Sequence, residues 1–340
     1  MRLAVSGLTT DLWSESGPLR VVDEVDLQVD AGETLGVVGE SGCGKSMTLM
    51  SILRLVAPHV GGVTGGRVEL DGTDVLALGP DELRAVRGAG IALIPQDPMV
   101  ALSPVLRLGT QMAAALRAHG PRTGRDELRR RSAELLEQVG VPRPDVQLRR
   151  YPHELSGGML QRVAIAMAIG NGPRVVLADE PTTALDVTIQ AQILELLADM
   201  QERNGMALVL VTHDLGVVSQ VADRVNVMYA GRVVETASAA DLFAAPRHPY
   251  TRALLASLPS THRPGERLAH VEGQPPPLGR LPRGCAFEPR CAVGSGRDEC
   301  LGGRPDLVPW GRGAVACHHA GEAEPPRHPV ALGTGGAADG

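Results

Sequence analysis

Aromatic side chains are scarce in this chain of 340 residues, since Phe, Trp and Tyr together make up only 2%. This scarcity argues against a protein whose main task is to stack the bases of single-stranded nucleic acid. The net charge is −6 and the pI is near 5.9, whereas a domain that binds duplexes usually carries a basic surface. The composition therefore predicts no nucleic-acid partner.

Long apolar runs are missing as well. No stretch approaches the ~20 apolar residues that cross a bilayer, and the longest candidates, Met206–Val211 and Val175–Ala178, have the length of strands. The segment Met1–Thr10 lacks the apolar core of a secretory signal. We therefore expect a soluble cytoplasmic chain, which needs a partner if it acts at a membrane.

Lysine occurs once, at Lys45, although Lys and Arg together number 33. Every other basic residue of these two types is thus arginine, whose planar guanidinium differs in shape from a compact ammonium. This bias indicates that position 45 requires an amine.

The pattern of strands and helices predicts an α/β fold. Strand signals occur at Val25–Val29, Thr34–Val38, Arg67–Leu70, Ile91–Ile94, Val175–Ala178, Ala207–Val211 and Val225–Met228. Helical stripes lie between them, at 47–55, at 126–139 with Asp126 as the expected N-cap, and at 189–200. Alternation of this kind indicates a mostly parallel sheet covered by helices.

The arginine run at 129–131 fits a solvated helix face, and a contact surface for a partner or lipid is the alternative.

A glycine-rich loop follows the strand Thr34–Val38 and fits the pattern G-x-x-x-x-G-K-[ST]. Glycines let backbone N–H groups turn inward around phosphates, and the following helix directs its positive end to the same place. The lysine supplies a point charge to the β- and γ-phosphates, and the last hydroxyl can bind Mg²⁺. The predicted ATP-binding residues are Gly39, Glu40, Ser41, Gly42, Cys43, Gly44, Lys45 and Ser46.

Two carboxylates, Asp179 and Glu180, end the apolar strand at 175–178. The carboxyl end of a parallel strand is where α/β proteins form ligand sites. We expect Asp179 to hold Mg²⁺, directly or through water, and Glu180 to act as the general base for a water molecule.

A second helix start with the features of an anion site lies at Ser156, Gly157 and Gly158. Ser156 fits an N-cap, and the glycines allow close approach of an anion. One nucleotide does not need two such helix starts in one chain. We therefore expect this one to serve ATP bound by a second copy or by a homologous chain.

In their order along the chain, the phosphate loop, Gln96, Leu155–Arg162, Asp179-Glu180, Ala184-Leu185-Asp186 and His213 resemble an ABC-type ATPase. The resemblance implies a P-loop NTPase nucleotide-binding domain at 1–260 with a helical subdomain at about 97–172. A small cysteine-containing domain at 261–320 and a disordered tail at 321–340 would follow.

The same resemblance implies roles for single residues. Gln96 would link Mg²⁺ and the attacking water to the helical subdomain, and His213 would contact the γ-phosphate. Asp186 would act across the dimer, together with the helix start at 156–158. The family stacks an aromatic ring on adenine near the first strands, where Trp13 is the candidate and Leu12 the alternative.

Further motifs resemble the ATP-binding subunits of bacterial dipeptide/oligopeptide and nickel importers. They are Tyr151–Met159, Asp179–Gln192, Met228–Gly231, His248–Thr251 and the stretch from Gly284 to His318. This implies two membrane permease subunits, a second ABC ATPase subunit and, indirectly, an extracellular substrate-binding protein. The chain would work peripherally at the cytoplasmic face of the inner membrane and drive the uptake of dipeptides or oligopeptides, with nickel or sugars as the alternative cargo.

The departures from that family pattern are Pro95, where phenylalanine is usual, and Ser103-Pro104, where Asn-Pro is usual. Both fall near the region that contacts the permeases in the family. Two rival functions are a non-transport ABC ATPase acting on DNA or ribosomes and a regulator that binds ATP without hydrolysing it. The short interval between the loop and Ser156 argues against the first rival, and the intact Asp179-Glu180 pair with His213 argues against the second.

Four of the five cysteines cluster near the C-terminus, at Cys285, Cys291, Cys300 and Cys317. In a cytosolic protein such a cluster indicates metal binding before disulfides, although the spacing matches none of the standard zinc patterns. Members of the resembled family carry a 4Fe–4S cluster on cysteines arranged like these. We therefore expect a structural 4Fe–4S cluster first, zinc second, and a disulfide-linked or reduced set third.

Overall fold

The computed structural model describes residues 2–120, 123–183, 185–258 and 271–322. Contacts between Cα atoms divide the chain into two compact units. Unit 1 comprises Met1–Leu3, Val29–Glu33 and Glu69–Val211, and unit 2 comprises Ala4–Gln28, Thr34–Val68 and Thr212–Gly340. The predicted tail lies almost wholly outside the described residues, as do Ala184 and the predicted domain boundary near 260.

The strands are β1 (Leu3–Ser14), β2 (Gly17–Val29), β3 (Thr34–Val38), β4 (Gly61–Leu70), β5 (Thr73–Asp74), β6 (Ile91–Ile94), β7 (Val175–Asp179), β8 (Ala207–Thr212), β9 (Arg224–Tyr229), β10 (Arg232–Ser238), β11 (Val308–Trp310) and β12 (Gly313–Val315). The α-helices are α1 (Lys45–Ile52), α2 (Pro80–Val86), α3 (Pro98–Ala101), α4 (Leu108–His119), α5 (Arg125–Gln138), α6 (Pro144–Gln147), α7 (Gly157–Ile169), α8 (Val187–Asn204), α9 (Leu215–Val221), α10 (Ala239–Ala244), α11 (Pro249–Ala256) and α12 (Asp298–Gly302). Among the described residues, no helix combines the length and apolarity that a membrane span requires.

Unit 1 contains a parallel ladder of β6, β7 and β8. The sequences of β7 and β8, VVLAD and ALVLVT, are almost continuously apolar, and all but the last residue of β7 are buried. Strands covered on both faces lose the alternation of half-exposed strands. The carboxyl end of β7 is therefore the point at which polar residues first appear.

Helices α4, α5 and α7 of unit 1 pack on one another, and each contributes buried residues, among them Leu116, Leu136 and Ile165. Helix α5 begins at Arg125 with Gly124 as its N-cap, so the prediction of Asp126 as the cap is wrong. Asp126 lies in the first turn instead, where its negative charge favours the helix dipole. Arg130 pairs with Glu127 and Glu134 on the exposed face of α5.

Unit 2 contains the strand that leads to the phosphate loop. β3 runs parallel to β9, and β9, β10, β12 and β11 then pair antiparallel in that order. The short strands β11 and β12 thus attach the C-terminal segment to the edge of β10. Strands β2, β1 and β4 are neighbours in a separate sheet.

The few aromatic residues of the chain concentrate in unit 2. The rings of Tyr229 and Tyr250 lie 4.7 Å apart, and each lies 5.3 Å from Phe287. All three side chains are buried. Because these residues come from β9, α11 and the C-terminal segment, the cluster joins the end of the central strands to the cysteine-rich region.

Candidate nucleotide site

Residues 39–44 connect β3 to α1, and residues 45 and 46 begin α1, as the motif predicts. Gly44 is the N-cap of α1 with φ 104°, a left-handed conformation that favours glycine. At Gly39, with φ 156°, an added Cβ would lie 2.2 Å from the carbonyl oxygen of Met228. The glycines are thus required by the backbone path and by close packing on β9.

Lys45, the first residue of α1, is 4% exposed. Its Nζ donates hydrogen bonds to the carbonyl oxygens of Gly39, at 2.7 Å, and Glu40, at 3.1 Å. The amine therefore lies inside the curve of the loop. Burial raises the pKa of the neighbouring Cys43 thiol, so this cysteine is a neutral packing residue.

In unit 1, Glu180 follows the last residue of β7 and has φ 43°, which is uncommon for a residue with a side chain. The residue is 8% exposed, and its Oε2 accepts hydrogen bonds from Thr183 Oγ1 at 2.8 Å and Gln96 Nε2 at 3.2 Å. The backbone N–H of Glu180 donates to Val211. The structure therefore brings Gln96 and Glu180 together and fixes the carboxylate. Asp179 is the half-buried last residue of β7.

Two helix N-termini of unit 1 lie side by side. Ser156 caps α7 by accepting from the N–H of Met159, and Asp186 caps α8 by accepting from the N–H of Ile189. An added Cβ at Gly158 would lie 3.0 Å from Ile189 Cγ2. Ser156, Gly157 and Asp186 are exposed, so these N-termini face solvent within this chain.

The remaining predicted residues occupy separate places in unit 2. His213 follows β8 and is exposed. Trp13 lies near the end of β1 with half of its surface exposed, and its indole N–H donates to the carbonyl of Pro58 at 2.9 Å. The neighbouring Leu12 is partly buried. The adenine contact of Trp13 stays a prediction.

Two residues that contact the loop were missed by the sequence analysis. The hydroxyl of Tyr250 accepts from the backbone N–H of Glu40 at 2.8 Å, and Arg290 forms two hydrogen bonds to the Glu40 carboxylate. Tyr250 belongs to a motif that indicates the family, but nothing in that motif indicates its contact. Arg290 has no signal beyond its position next to Cys291.

The four C-terminal cysteines line one cavity of about 10 Å³. The Cys291 sulfur accepts from the N–H of Gly294 at 3.1 Å, and an added Cβ at Gly294 would lie 2.7 Å from the Cys300 sulfur. Burial raises the pKa of the Cys317 thiol to about 11. Within the described ranges, however, no group of three or more His, Cys, Asp or Glu residues is arranged to hold a metal ion, so the structure does not support the iron–sulfur prediction.

Comparisons with known proteins identify the family of the chain. Residues 22–183 match the ABC transporter family, and residues 234–300 match the oligopeptide/dipeptide transporter C-terminal region. The dipeptide transport ATP-binding protein DppD of Escherichia coli is 46% identical over 320 residues, which are 93% of this chain and 96% of DppD. DppD of Bacillus subtilis is 46% identical over 289 residues, which are 85% of this chain and 86% of that protein.

A solved structure shares the fold. The dimeric structure of MJ0796, a bacterial ABC transporter cassette, aligns with a TM-score of 0.63 and 29% identity over 70% of this chain and 98% of the cassette. The likeness therefore covers a complete cassette. The chain belongs to the ABC transporter family, as an ATP-binding subunit of the group that carries the oligopeptide/dipeptide transporter C-terminal region.

Proposed function

We propose that this chain binds and hydrolyses ATP to drive the import of dipeptides or oligopeptides. The observation that carries the proposal is the buried amine of Lys45, the only lysine of the chain, inside the curve of a glycine-rich loop. Relatives named for dipeptide transport support the peptide cargo over nickel or sugars.

In the proposed mechanism, Lys45 and the backbone N–H groups of the loop neutralise the β- and γ-phosphates. Ser46, Gln96 and Asp179 would hold Mg²⁺, which would supply further positive charge to the phosphates. Glu180 accepts a proton from water as the water oxygen bonds to the γ-phosphorus. The bond from the γ-phosphorus to the bridging oxygen breaks, which yields ADP and inorganic phosphate. His213 contacts the γ-phosphate, and Trp13 stacks on adenine.

The proposed assembly contains two ATPase subunits and two membrane permease subunits, with an extracellular substrate-binding protein as an indirect partner. The exposed N-termini of α7 and α8 support this arrangement, since Ser156, Gly157, Gly158 and Asp186 are available to ATP bound by a partner. The chain would act peripherally at the cytoplasmic face of the inner membrane.

The cysteine cluster remains a separate proposal. Four cysteine thiols that line one cavity would supply the all-sulfur donor set of a structural 4Fe–4S cluster, with Zn²⁺ as the second candidate. Such a group would cross-link the C-terminal segment. Analysis of iron, sulfide and zinc in protein purified without oxygen tests this, and the absence of all three would contradict it.

Glu180→Gln tests the hydrolytic role. We expect ATP binding to persist and the turnover rate to fall by about 10²–10⁴-fold, because the amide cannot accept the proton. Phosphate release and equilibrium ATP binding are measured on the same preparation. Glu195→Gln, on the exposed face of α8, is the matched control and should keep wild-type turnover. Normal turnover in Glu180→Gln would remove Glu180 from the mechanism.

A further inference from the structure

Glu40 presents an electrostatic problem, because a carboxylate lies in a loop that is built to bind phosphates. An unpaired negative charge there opposes a polyphosphate, and in a partly buried site water screens that repulsion weakly. The loop therefore needs something that neutralises Glu40 and directs its carboxylate away from the ligand.

Arg290 meets this need from the C-terminal segment, 250 residues further along the chain. Its Nη1 donates to Glu40 Oε2 at 2.7 Å and its Nη2 donates to Glu40 Oε1 at 2.9 Å. This is the bidentate geometry, with two parallel hydrogen bonds, in which a guanidinium binds a carboxylate most strongly. The Arg290 side chain is only 4% exposed and that of Glu40 is 26% exposed, so the pair is not an ordinary surface contact.

The position of Arg290 is itself fixed on several sides. Its Nε donates to the carbonyl oxygen of Glu272 at 2.8 Å, and its guanidinium carbon lies 5.9 Å from the ring centre of Tyr229 and 6.0 Å from that of Phe287. The hydrogen bonds to Glu40 raise the pKa of Arg290, which therefore stays charged. A guanidinium held in this way loses little conformational entropy on pairing.

The same cluster of rings also holds the backbone at position 40. The hydroxyl of Tyr250, whose ring packs on Tyr229 and Phe287, accepts the backbone N–H of Glu40 at 2.8 Å. Both the main chain and the side chain of Glu40 are thus bound by residues outside the loop. The other end of the loop is fixed by the N–H of Gly231, which donates to the Cys43 carbonyl.

We propose that Arg290 is a positioning residue for nucleotide binding, which neutralises Glu40 and holds its carboxylate away from the ATP phosphates. The proposal rests on the proposed ATP-binding function of the loop. It makes the C-terminal segment a functional part of the nucleotide site, in addition to any structural role of the neighbouring cysteines.

Binding of Mg-ATP, Mg-ADP and AMP to the full chain tests the proposal. Arg290→Ala should weaken ATP binding by about tenfold, ADP binding less and AMP binding least, because repulsion from an unpaired Glu40 grows with the number of phosphates. In steady-state hydrolysis the KM for ATP should rise while kcat changes little. Adding Glu40→Gln to Arg290→Ala should restore ATP affinity to within about threefold of wild type, since the uncompensated charge is gone.

Controls separate this role from a loss of folding. Arg297→Ala removes another arginine of the same segment, which pairs with Glu322, and should leave nucleotide affinity unchanged. Arg290→Lys keeps the positive charge but cannot form the bidentate pair, so its loss of ATP affinity should be smaller than that of Arg290→Ala. An equal loss for all three nucleotides, without rescue by Glu40→Gln, would reduce Arg290 to a structural contact. If the wild-type chain fails to bind ATP, the proposed function fails instead.

Discussion

At the scale of single residues, position 45 raises the question of whether ATP binding needs only a positive charge or specifically the compact amine of lysine. The Lys45 amine lies within 3.1 Å of two carbonyl oxygens of its own loop and is almost completely buried. A guanidinium carries the same charge but is larger, planar and forked. The use of arginine at every other basic position of these two types is consistent with a selective need for an amine here.

We therefore expect Lys45→Arg to abolish ATP binding although the charge is unchanged. We expect Kd to rise at least about a hundredfold, similar to the effect of Lys45→Ala. The planar guanidinium group is too large to enter the loop without displacing its backbone. Calorimetric titration with Mg-ATP measures the loss. Near-wild-type affinity of Lys45→Arg would mean that charge alone is required.

His248 gives a second prediction at this scale. Burial lowers the pKa of its imidazole to about 3 from an ordinary value of 6.5, and its Nδ1 accepts the N–H of Tyr250. The unfolded chain then binds a proton below pH 6.5 that the folded chain does not, so stability falls as the pH falls from 6.5 toward 3. The nearby buried Glu235, whose pKa is raised by burial, acts in the opposite direction.

His248→Asn removes this titration and keeps an N-cap acceptor for α11. Between pH 7 and pH 5, we expect the free energy of unfolding of the wild type to fall by up to about 2 kcal/mol more than that of the variant. Urea unfolding at several pH values measures the two slopes. Equal slopes would show that folding does not lower the pKa of this imidazole.

Site residues could be predicted from the sequence where a short local pattern marks them. Lys45 and Glu180 were predicted because a motif of fixed spacing, or the end of an apolar strand, marks each of them. Arg290 and Tyr250 were not predicted as loop contacts, because their contacts with Glu40 join segments more than 200 residues apart. Folding, and not spacing, creates that proximity.

At the scale of elements, prediction succeeded where burial alone determines the strand. The predicted bounds of β3 and β6 agree with the structure, because both are short, mostly apolar and mostly buried runs between turn signals. The long strands β1 and β2 were missed in large part, since they mix glycine, serine and acidic residues with apolar ones. The short strands β11 and β12 depend on pairing at the edge of β10, which no local pattern encodes.

The attachment of β12 to β10 leads to a prediction at this scale. An added Cβ at Gly313 would lie 2.1 Å from the Thr236 carbonyl oxygen. Only a shift of the backbone can relieve this steric clash. Gly313→Ala should therefore displace β12 and cost about 1–3 kcal/mol of stability. Hydrogen exchange at 313–315 and in β10 should accelerate.

Gly302→Ala is the matched control, since an added Cβ there meets nothing within 4 Å. Its hydrogen exchange and its unfolding midpoint should stay close to those of the wild type. Unchanged protection of β10 in Gly313→Ala would show that the C-terminal strands contribute little to the stability of unit 2.

At the scale of the whole molecule, family membership and general fold could be predicted because several motifs occur in a fixed order. The membrane partners could not be identified from residues alone, since their contacts belong to other chains. The same limit applies to Ser156 and Asp186, whose helix N-termini are exposed and whose proposed ligand is bound by another subunit.

ATP-dependent dimer formation tests that proposal. Glu180→Gln, which we expect to retain ATP, should shift from monomer to dimer with Mg-ATP and return to monomer when Mg²⁺ is chelated, because phosphates shared between two chains would hold the dimer closed. Adding Ser156→Glu places a negative charge at the N-terminus of α7, where it repels the partner's nucleotide. We expect this double variant to bind ATP as tightly as Glu180→Gln but to remain monomeric in sedimentation velocity. Dimers of undiminished affinity in the double variant would exclude Ser156 from the shared site.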